Sequence, residues 1–388
     1  MRREYFYLIL LIGLAIAMRS ITLGLHQVLD GQTIGAVYAM IHGTPFAEEG
    51  LVMAVTIPSH LLGGAVSVFA IMYAERLLLT IVACIAVYLL GKRISNSSHA
   101  ALLGTFLYAT SQIGMWRESL NIWVGDGFTP ILLILAVLFL LYWLDGFEAA
   151  CDPIYALGRR LLLIPSLFLL ALAYFIWNGG PYALWAYGLV AGILFLRNFI
   201  KSPFRLLFIA AGVTVIMGAV FVSLPAFTLL RDGIAPTSSF RAIVQFATQT
   251  EFHLEQNNPF YLAYLQGHDL VFGIWLCLSS IVTALACIGA MRFNYRHRAP
   301  EAQNTYLAVI LSVVAGLPFV FFGPRWNSLV YIPIAILAGS ALSFLSPRKR
   351  LAMYVCLVIL TEMVVLSVSF LPIWPGACIT NVQLLPFC

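Results

Sequence analysis

Long apolar runs separated by short polar segments recur along the whole chain. Several runs approach the ~20 apolar residues that a helix needs to cross a hydrocarbon core. The pattern predicts an all-α polytopic membrane protein with a single transmembrane domain over residues 1–388. About eleven transmembrane helices are expected, near residues 5–25, 77–91, 100–116, 127–144, 161–177, 181–196, 206–226, 270–291, 305–322, 327–345 and 351–371.

The composition agrees with this pattern. Hydrophobic residues make up 62% of the chain and charged residues only 10%, and the mean hydropathy is +0.96. Ordinary soluble domains carry roughly 25% charged residues, so this class is excluded. The first run follows "MRREY" and is not followed by a small-residue cleavage site, so we expect a retained membrane anchor.

The distribution of positive charge predicts the orientation. Of the 21 Lys and Arg residues, 15 fall in alternate polar segments: "RR", "GKR", "GRR", "RNFIKSPFR", "RFNYRHR" and "SPRKR". The positive-inside rule then places the N-terminus in the cytoplasm and the C-terminus outside, in a multi-pass protein of the cell membrane. Outside lie a first loop (about 26–76), a late loop (about 227–269) and a short tail (373–388). The positive-inside rule explains the basic segments, so membrane lipids are expected partners and nucleic acid is not.

The six remaining arginines and several acids fall on the predicted outer side. Arg325 stands at a helix mouth in "FFGPRWNSLVYIPIAILAG", where a guanidinium faces either lipid headgroups or an anionic ligand. The other arginines of this set are Arg19, Arg76, Arg117, Arg231 and Arg241. The acids are Asp30, Glu48, Glu49, Glu118, Asp126, Glu251 and Glu255.

These residue types indicate one chemistry when they converge. Carboxylates from separate loops can hold a hard divalent cation such as Mg²⁺ or Mn²⁺, with water completing the shell. A cation beside an arginine stabilises a departing phosphate, so the pattern favours displacement from a lipid phosphate or pyrophosphate. The alternative for each acid is a solvated loop residue without a ligand.

Four segments, in order and on the same predicted face, carry a family resemblance. They are "LDGQTIGAVYAMIHG" with Asp30, Arg117 followed by "VGD" with Asp126, "TQTE" or "EQNNP" with Glu251 or Glu255, and Arg325 before "YIPIAILAG". In these segments the chain resembles the GT-C glycosyltransferases that use polyprenyl-phosphate-linked sugars. The chain resembles in particular the catalytic subunit of oligosaccharyltransferase.

The resemblance implies a membrane glycosyltransferase that moves a sugar or oligosaccharide from a polyprenyl-phosphate or -diphosphate donor to an acceptor at the outer membrane face. It implies metal-assisted, inverting transfer, with Asp30 and Asp126 as catalytic metal ligands for Mg or Mn. Arg325 and Arg117 would bind the donor phosphate, and Glu251 or Glu255 would be the catalytic Glu of the late loop. The acceptor, whether protein, lipid or glycan, is left open.

Departures from the family pattern keep other functions open. Val124 stands where the family has the first acid of a pair, which favours a non-catalytic GT-C-like subunit. About two spans fewer are predicted than in the oligosaccharyltransferase subunit, and its C-terminal outer domain is expected to be absent. Glu362 in "VILTEMVVL" is the residue on which a transporter or carrier of lipid-linked substrates would depend. A lipid phosphotransferase or polysaccharide polymerase could share the acids and arginine.

Overall fold

The computed structural model describes residues 3–25, 68–111, 128–148, 158–176, 180–199, 282–320 and 328–341. All secondary structure in these ranges is helical and no strand occurs in them, which confirms the predicted all-α class. A short 3₁₀ helix, Tyr295–His297, precedes α8. The helices are α1 Arg3–Leu25, α2 Val68–Ser95, α3 Ser98–Ala109, α4 Thr129–Glu148, α5 Leu163–Ile176, α6 Gly180–Phe199, α7 Val282–Met291, α8 Pro300–Val320 and α9 Ser328–Ala341.

Helices α2 and α3 form an antiparallel hairpin with a tight polar turn. Asn96 has a φ of 52°, in the left-handed region that asparagine tolerates better than most residues. Ser97 then caps α3, because its hydroxyl accepts a hydrogen bond from the Ala100 amide. A Cβ atom added to Gly91 would lie 3.1 Å from the Ala101 Cα atom, so the two helices approach closely beside the turn.

Helix α4 lies at the centre of the bundle. It begins with Thr129 and Pro130, and proline is tolerated in a first turn because the amide there needs no helical partner. Every residue from 131 to 138 is buried. Helices α2, α5, α6, α8 and α9 all pack against it, as expected of a helix that is apolar on all sides.

Glycines allow the backbones of α3, α7 and α9 to approach one another. A Cβ atom on Gly339 would lie 2.6 Å from the Gly104 Cα atom and 2.7 Å from the Ala100 carbonyl oxygen. A Cβ atom on Gly289 would overlap the Leu337 carbonyl oxygen. Close packing through small residues is typical of helices in membranes.

The peripheral helices α1 and α5 each present an apolar face outward. The exposed side chains recur every three or four residues, as on one side of a helix, and include Tyr5, Phe6, Ile9 and Leu10 of α1 and Ile164, Leu167 and Phe168 of α5. Within the described residues, Ala74–Ser95 and Thr129–Gly146 are long and apolar enough to cross a bilayer. Such segments and exposed apolar faces indicate a membrane protein.

The element boundaries differ most from the predicted spans in two places. Helix α2 begins at Val68 rather than near 77, so residues 68–76 are helical and do not belong to the first loop. Helix α3 ends at Ala109 rather than near 116. Predicted spans 206–226 and 351–371 lie outside the described residues, and the number of spans and the orientation stay predictions.

Candidate active site

The six predicted site residues lie outside the described residues: Asp30, Arg117, Asp126, Glu251, Glu255 and Arg325. Their metal, phosphate and catalytic roles therefore stay predictions. Four of them lie within eight residues of the end of a described helix. Helix α1 ends five residues before Asp30, and α3 ends eight residues before Arg117; α4 and α9 each begin three residues after Asp126 and Arg325. The structure therefore bears on the predicted site through the positions of these four helix ends.

Arg19 of α1 is buried, although the sequence places it in the set of outer-face arginines. Its side chain is 2% exposed, and Nη1 donates hydrogen bonds to the carbonyls of Ala109 (3.1 Å) and Ala15 (3.4 Å). The guanidinium carbon lies 4.9 Å from the centroid of the Tyr108 ring. Carbonyl dipoles and an aromatic face replace water around the charge, which explains why it is not at the surface.

A tyrosine pair links the end of α3 to the beginning of α9. The rings of Tyr108 and Tyr331 are stacked, with centroids 5.8 Å apart and an interplanar angle of 17°. Tyr331 lies in the first turn of α9, and Tyr108 is also the ring beneath Arg19. Arg19 and this pair therefore bring α1, the end of α3 and the beginning of α9 together.

Arg76 links α2 to the beginning of α4. The sequence assigns it to the first outer loop, whereas the structure places it in α2 with 3% of its surface exposed. Its guanidinium carbon lies 3.7 Å from the centroid of the Phe128 ring, directly before α4. The prediction was wrong because the charged pair Glu75 and Arg76 interrupts the apolar pattern, while the aromatic contact allows the helix to continue.

The Arg19 and Arg76 contacts lie in the same half of the bundle. Arg76 and Arg93 are 17 residues apart on α2, which corresponds to about 25 Å along the axis. The Arg93 half contains the turn between α2 and α3, whereas Arg19 contacts the other end of α3. The helix ends that flank Asp30, Arg117, Asp126 and Arg325 are thus turned away from the Arg93 half.

The opposite half is built around Asp145, which the sequence reasoning did not single out. Arg93 donates to both carboxylate oxygens of Asp145, at 2.7 and 3.1 Å, and Arg159 Nη1 lies 3.3 Å from Oδ2. Arg93 Nε also donates to the Thr305 hydroxyl at 2.9 Å. The sequence signal for this ion pair was an acid at the end of an apolar run, on the same predicted side of the membrane as the basic segments "GKR" and "GRR". Since both oxygens are engaged by arginines, Asp145 has a structural role.

Two further polar groups complete this half. Arg197 donates to the side chains of Asn304 (2.8 Å) and Gln303. The Glu4 carboxylate accepts hydrogen bonds from the Ser98 hydroxyl and the Lys92 ammonium (3.2 Å). The Ser98 bond first, and then Lys92, lower the pKa of Glu4.

The basic segments "GKR", "GRR" and "RN" therefore meet at one end of the bundle, as the positive-inside pattern predicts for segments on one side of a membrane. Within the described part of the chain, no three His, Cys, Asp or Glu residues are grouped as metal ligands. Asp30 and Asp126, the predicted metal ligands, lie outside the described part.

No protein-family model matches the chain, and a search of curated proteins finds no match. Solved structures do match. The apo oligosaccharyltransferase of Archaeoglobus fulgidus aligns with a TM-score of 0.59 at 13% identity, over 94% of this chain and 56% of that one. Its complex with zinc and sulfate aligns with a TM-score of 0.58 at 14% identity, over 94% of this chain and 53% of that one.

The chain has the fold of this archaeal oligosaccharyltransferase. A further structure of that enzyme, AglB in complex with an inhibitory peptide and a dolichol-phosphate, aligns with a TM-score of 0.55 at 14% identity, over 95% of this chain and 54% of that one. At these identities the likeness concerns the fold. The chain spans about half the length of the oligosaccharyltransferase structures it matches. The resemblance predicted from four short segments is thereby confirmed as a likeness of fold.

Proposed function

We propose that the chain is a membrane glycosyltransferase of the GT-C type. It transfers a sugar or oligosaccharide from a polyprenyl-phosphate or -diphosphate donor to an acceptor at the outer membrane face, with inversion at the anomeric carbon. The observation that carries the proposal is the position of four helix ends in an oligosaccharyltransferase-like fold. The ends next to Asp30, Arg117, Asp126 and Arg325 lie in the half of the bundle away from the basic segments.

Asp30 and Asp126 are the proposed ligands for Mg or Mn. When bound there, a divalent cation would stabilise negative charge on the donor phosphate. The zinc and sulfate in one oligosaccharyltransferase complex support a cation and a tetrahedral anion as ligands of this fold. Carboxylates are suitable ligands for hard divalent cations, and two of them leave positions for water and phosphate oxygens.

Arg325 and Arg117 are the proposed phosphate-binding residues. A guanidinium donates two parallel hydrogen bonds to phosphate oxygens, which positions the leaving group and stabilises its charge. The dolichol-phosphate in the AglB complex supports a lipid phosphate as the donor class. In the transfer, the acceptor nucleophile forms a bond to the anomeric carbon while the bond from that carbon to the phosphate oxygen breaks. The phosphate leaves with the bonding electron pair.

The acceptor proton passes to a carboxylate, for which Glu251 or Glu255 of the late loop, or Asp30, is proposed. A peptide acceptor is one candidate, because a structure of the archaeal enzyme carries a tethered acceptor peptide with an NVT sequon. Lipid and glycan acceptors are the other candidates.

The test is a transfer assay with purified protein, radiolabelled polyprenyl-linked saccharide, and Mn²⁺ or Mg²⁺. Asp126→Asn should lower transfer at least about a hundredfold, as expected when a group that stabilises the transition state is removed. Asp152→Asn, the same change in a predicted inner segment, is the control and should retain wild-type transfer. Wild-type turnover by Asp126→Asn at saturating metal would place the site elsewhere.

A non-catalytic GT-C-like subunit is the second candidate, favoured by Val124 at the place of a family acid. Such a subunit would bind the lipid-linked saccharide without consuming it. Stoichiometric binding of labelled donor, with no transfer to peptide, lipid or glycan acceptors under any metal condition, would select this function over catalysis.

A further inference from the structure

We propose that Arg19 and Arg76 are positioning residues that hold the two ends of the segment between α3 and α4 in register for transfer. The inference rests on the proposed function, because this segment, residues 112–127, carries Arg117 and Asp126. Neither arginine belongs to the four segments that carry the family resemblance. Each instead contacts a described residue at one end of the segment.

Arg19 holds the end of α3. Its hydrogen bond to the Ala109 carbonyl engages one of the last carbonyls of that helix, where a cation also interacts favourably with the helix dipole. The same guanidinium lies against Tyr108, which stacks on Tyr331 of α9. One side chain from α1 thus fixes the helix end that leads to Arg117. Through Tyr331 it is also connected to the helix that follows Arg325.

Arg76 holds the other end of the segment. Its guanidinium lies over the Phe128 ring at 3.7 Å, and Phe128 is two residues from Asp126 in the sequence. At this distance the ring and the guanidinium are in direct contact, and burial strengthens a cation–π interaction. The α4 end of the segment is therefore tied to α2.

The residue type supports a role beyond packing. Burying an arginine inside a helix bundle is costly, and an apolar side chain of similar size would fill the same space without that cost. Two such arginines, 2% and 3% exposed, sit in the half of the bundle assigned to the reaction. Catalytic groups must be held close to their productive geometry, and a misplacement of about 1 Å lowers rates about a hundredfold.

Two pairs of variants separate positioning from folding. Arg19→Met and Arg76→Met keep the length of the side chain but remove the charge and the donors, whereas Arg19→Lys and Arg76→Lys retain both a charge and a donor. Arg197→Met is the matched control: it is the same substitution at a part-buried arginine of the opposite half, whose partners Asn304 and Gln303 are neutral. All five are made in the full chain and purified in detergent.

The first measurement needs no activity: hydrogen–deuterium exchange of peptides that cover residues 112–127. The Met variants at Arg19 and Arg76 should raise exchange in these peptides and leave peptides over residues 92–100 unchanged; Arg197→Met should leave residues 112–127 as in the wild type. The second measurement is transfer kinetics. The Met variants should lower kcat at least about tenfold with the donor KM within about twofold, and the Lys variants should restore part of kcat.

The outcomes separate this inference from the proposed function. If the wild type transfers saccharide but the Arg19 and Arg76 Met variants match Arg197→Met in kcat and exchange, the positioning role is overturned. If kcat and thermal stability fall together, with no rescue by lysine and no local change in exchange, the arginines act only in folding. If the wild type transfers nothing while exchange rises only over residues 112–127, the anchoring stands and the transferase function fails.

Discussion

Asp145 is a carboxylate at the end of the central helix α4, held between two arginines from different parts of the chain. Its side chain is 5% exposed, and each of its oxygens lies within hydrogen-bonding distance of a guanidinium nitrogen of Arg93. Arg159 shares the same carboxylate. Removing the acid leaves two positive charges in a poorly solvated place. The resulting loss of stability is larger than the net stabilisation of a buried ion pair relative to apolar side chains of the same size.

Asp145→Asn should therefore destabilise the protein strongly. We expect the free energy of unfolding to fall by about 3–5 kcal/mol, as for a buried ion pair that loses one partner. Thermal unfolding of the purified protein in detergent measures the effect. Glu301→Gln, at an exposed acid on α8, is the control and should change Tm little. Equal shifts in the two variants would show that Asp145 does not stabilise the bundle.

Glu4 gives the stability a pH dependence at the same end. Its pKa is lowered from 4.5, first by the Ser98 hydroxyl and then by Lys92. A lowered pKa in the folded state contributes stability that is present above the unfolded value and lost as the pH falls through the folded value. The Tm difference between wild type and Glu4→Gln should thus shrink as the pH is taken from neutral to below 4.5. Ser98→Ala should reduce this pH dependence; a difference that is constant with pH would contradict the assignment.

At the scale of the helices, close approach through glycine decides which elements can pack. Helix α9 crosses α3 where Gly104 and Gly339 face each other, and it contacts α7 where Gly289 faces the Leu337 carbonyl. Within a bilayer the drive to bury apolar surface between helices is weak, so van der Waals contact at such crossings supplies much of the association energy. A methyl group at these crossings displaces backbone rather than a flexible side chain.

Gly339→Ala and Gly289→Ala should therefore lower the free energy of unfolding by about 1–3 kcal/mol, as for other overpacked sites. Gly13→Ala is the matched control in α1, because a Cβ atom there meets nothing within 4 Å. Alanine at position 13 should be neutral or slightly stabilising, since it has the higher helix propensity. Midpoints of unfolding in a mixed-detergent titration report the differences. A Gly339→Ala midpoint equal to that of Gly13→Ala would mean that α3 and α9 have room to separate.

The same elements show how far the sequence predicts the fold. Helix α4 is a continuous apolar run, and the predicted span 127–144 closely matches Thr129–Glu148 because no polar residue interrupts it before Asp145. Helix α2 is predicted too short because Glu75 and Arg76 resemble a loop until the aromatic partner, Phe128, is known. That partner is 52 residues away in the sequence, and Arg19 and Ala109 are 90 apart, so periodicity carries no information about either contact.

The candidate site is predictable to a different extent. Asp30, Arg117, Asp126 and Arg325 are predicted from motifs, and the structure adds the half of the bundle to which the neighbouring helix ends belong. Whether the acids share a cation stays a prediction. Arg19 and Arg76 have no motif, and only their burial and contacts separate them from arginines that anchor to lipid headgroups.

At the scale of the whole molecule, the bundle is polarised. Arg93, Arg159, Arg197 and Lys92 gather at one end with their polar partners, and the helix ends that lead to the predicted site lie at the other. From this polarity the positive-inside rule predicts an orientation in which the basic end faces the cytoplasm and the predicted site faces outside. A polyprenyl-linked donor would then be used on the outer leaflet.

The orientation is tested by the labelling of single cysteines in intact cells. The seven native cysteines are first replaced by serine. Gly158→Cys lies next to the basic end, where a Cβ atom meets nothing within 4 Å, and Ser238→Cys lies in the predicted late outer loop. A membrane-impermeant maleimide should label Ser238→Cys in intact cells, and Gly158→Cys only after permeabilisation, because the reagent cannot cross the bilayer. Labelling in the reverse pattern would place the predicted site in the cytoplasm. The proposed outer-face transfer would then be wrong even though the fold and the polarity of the bundle are unchanged.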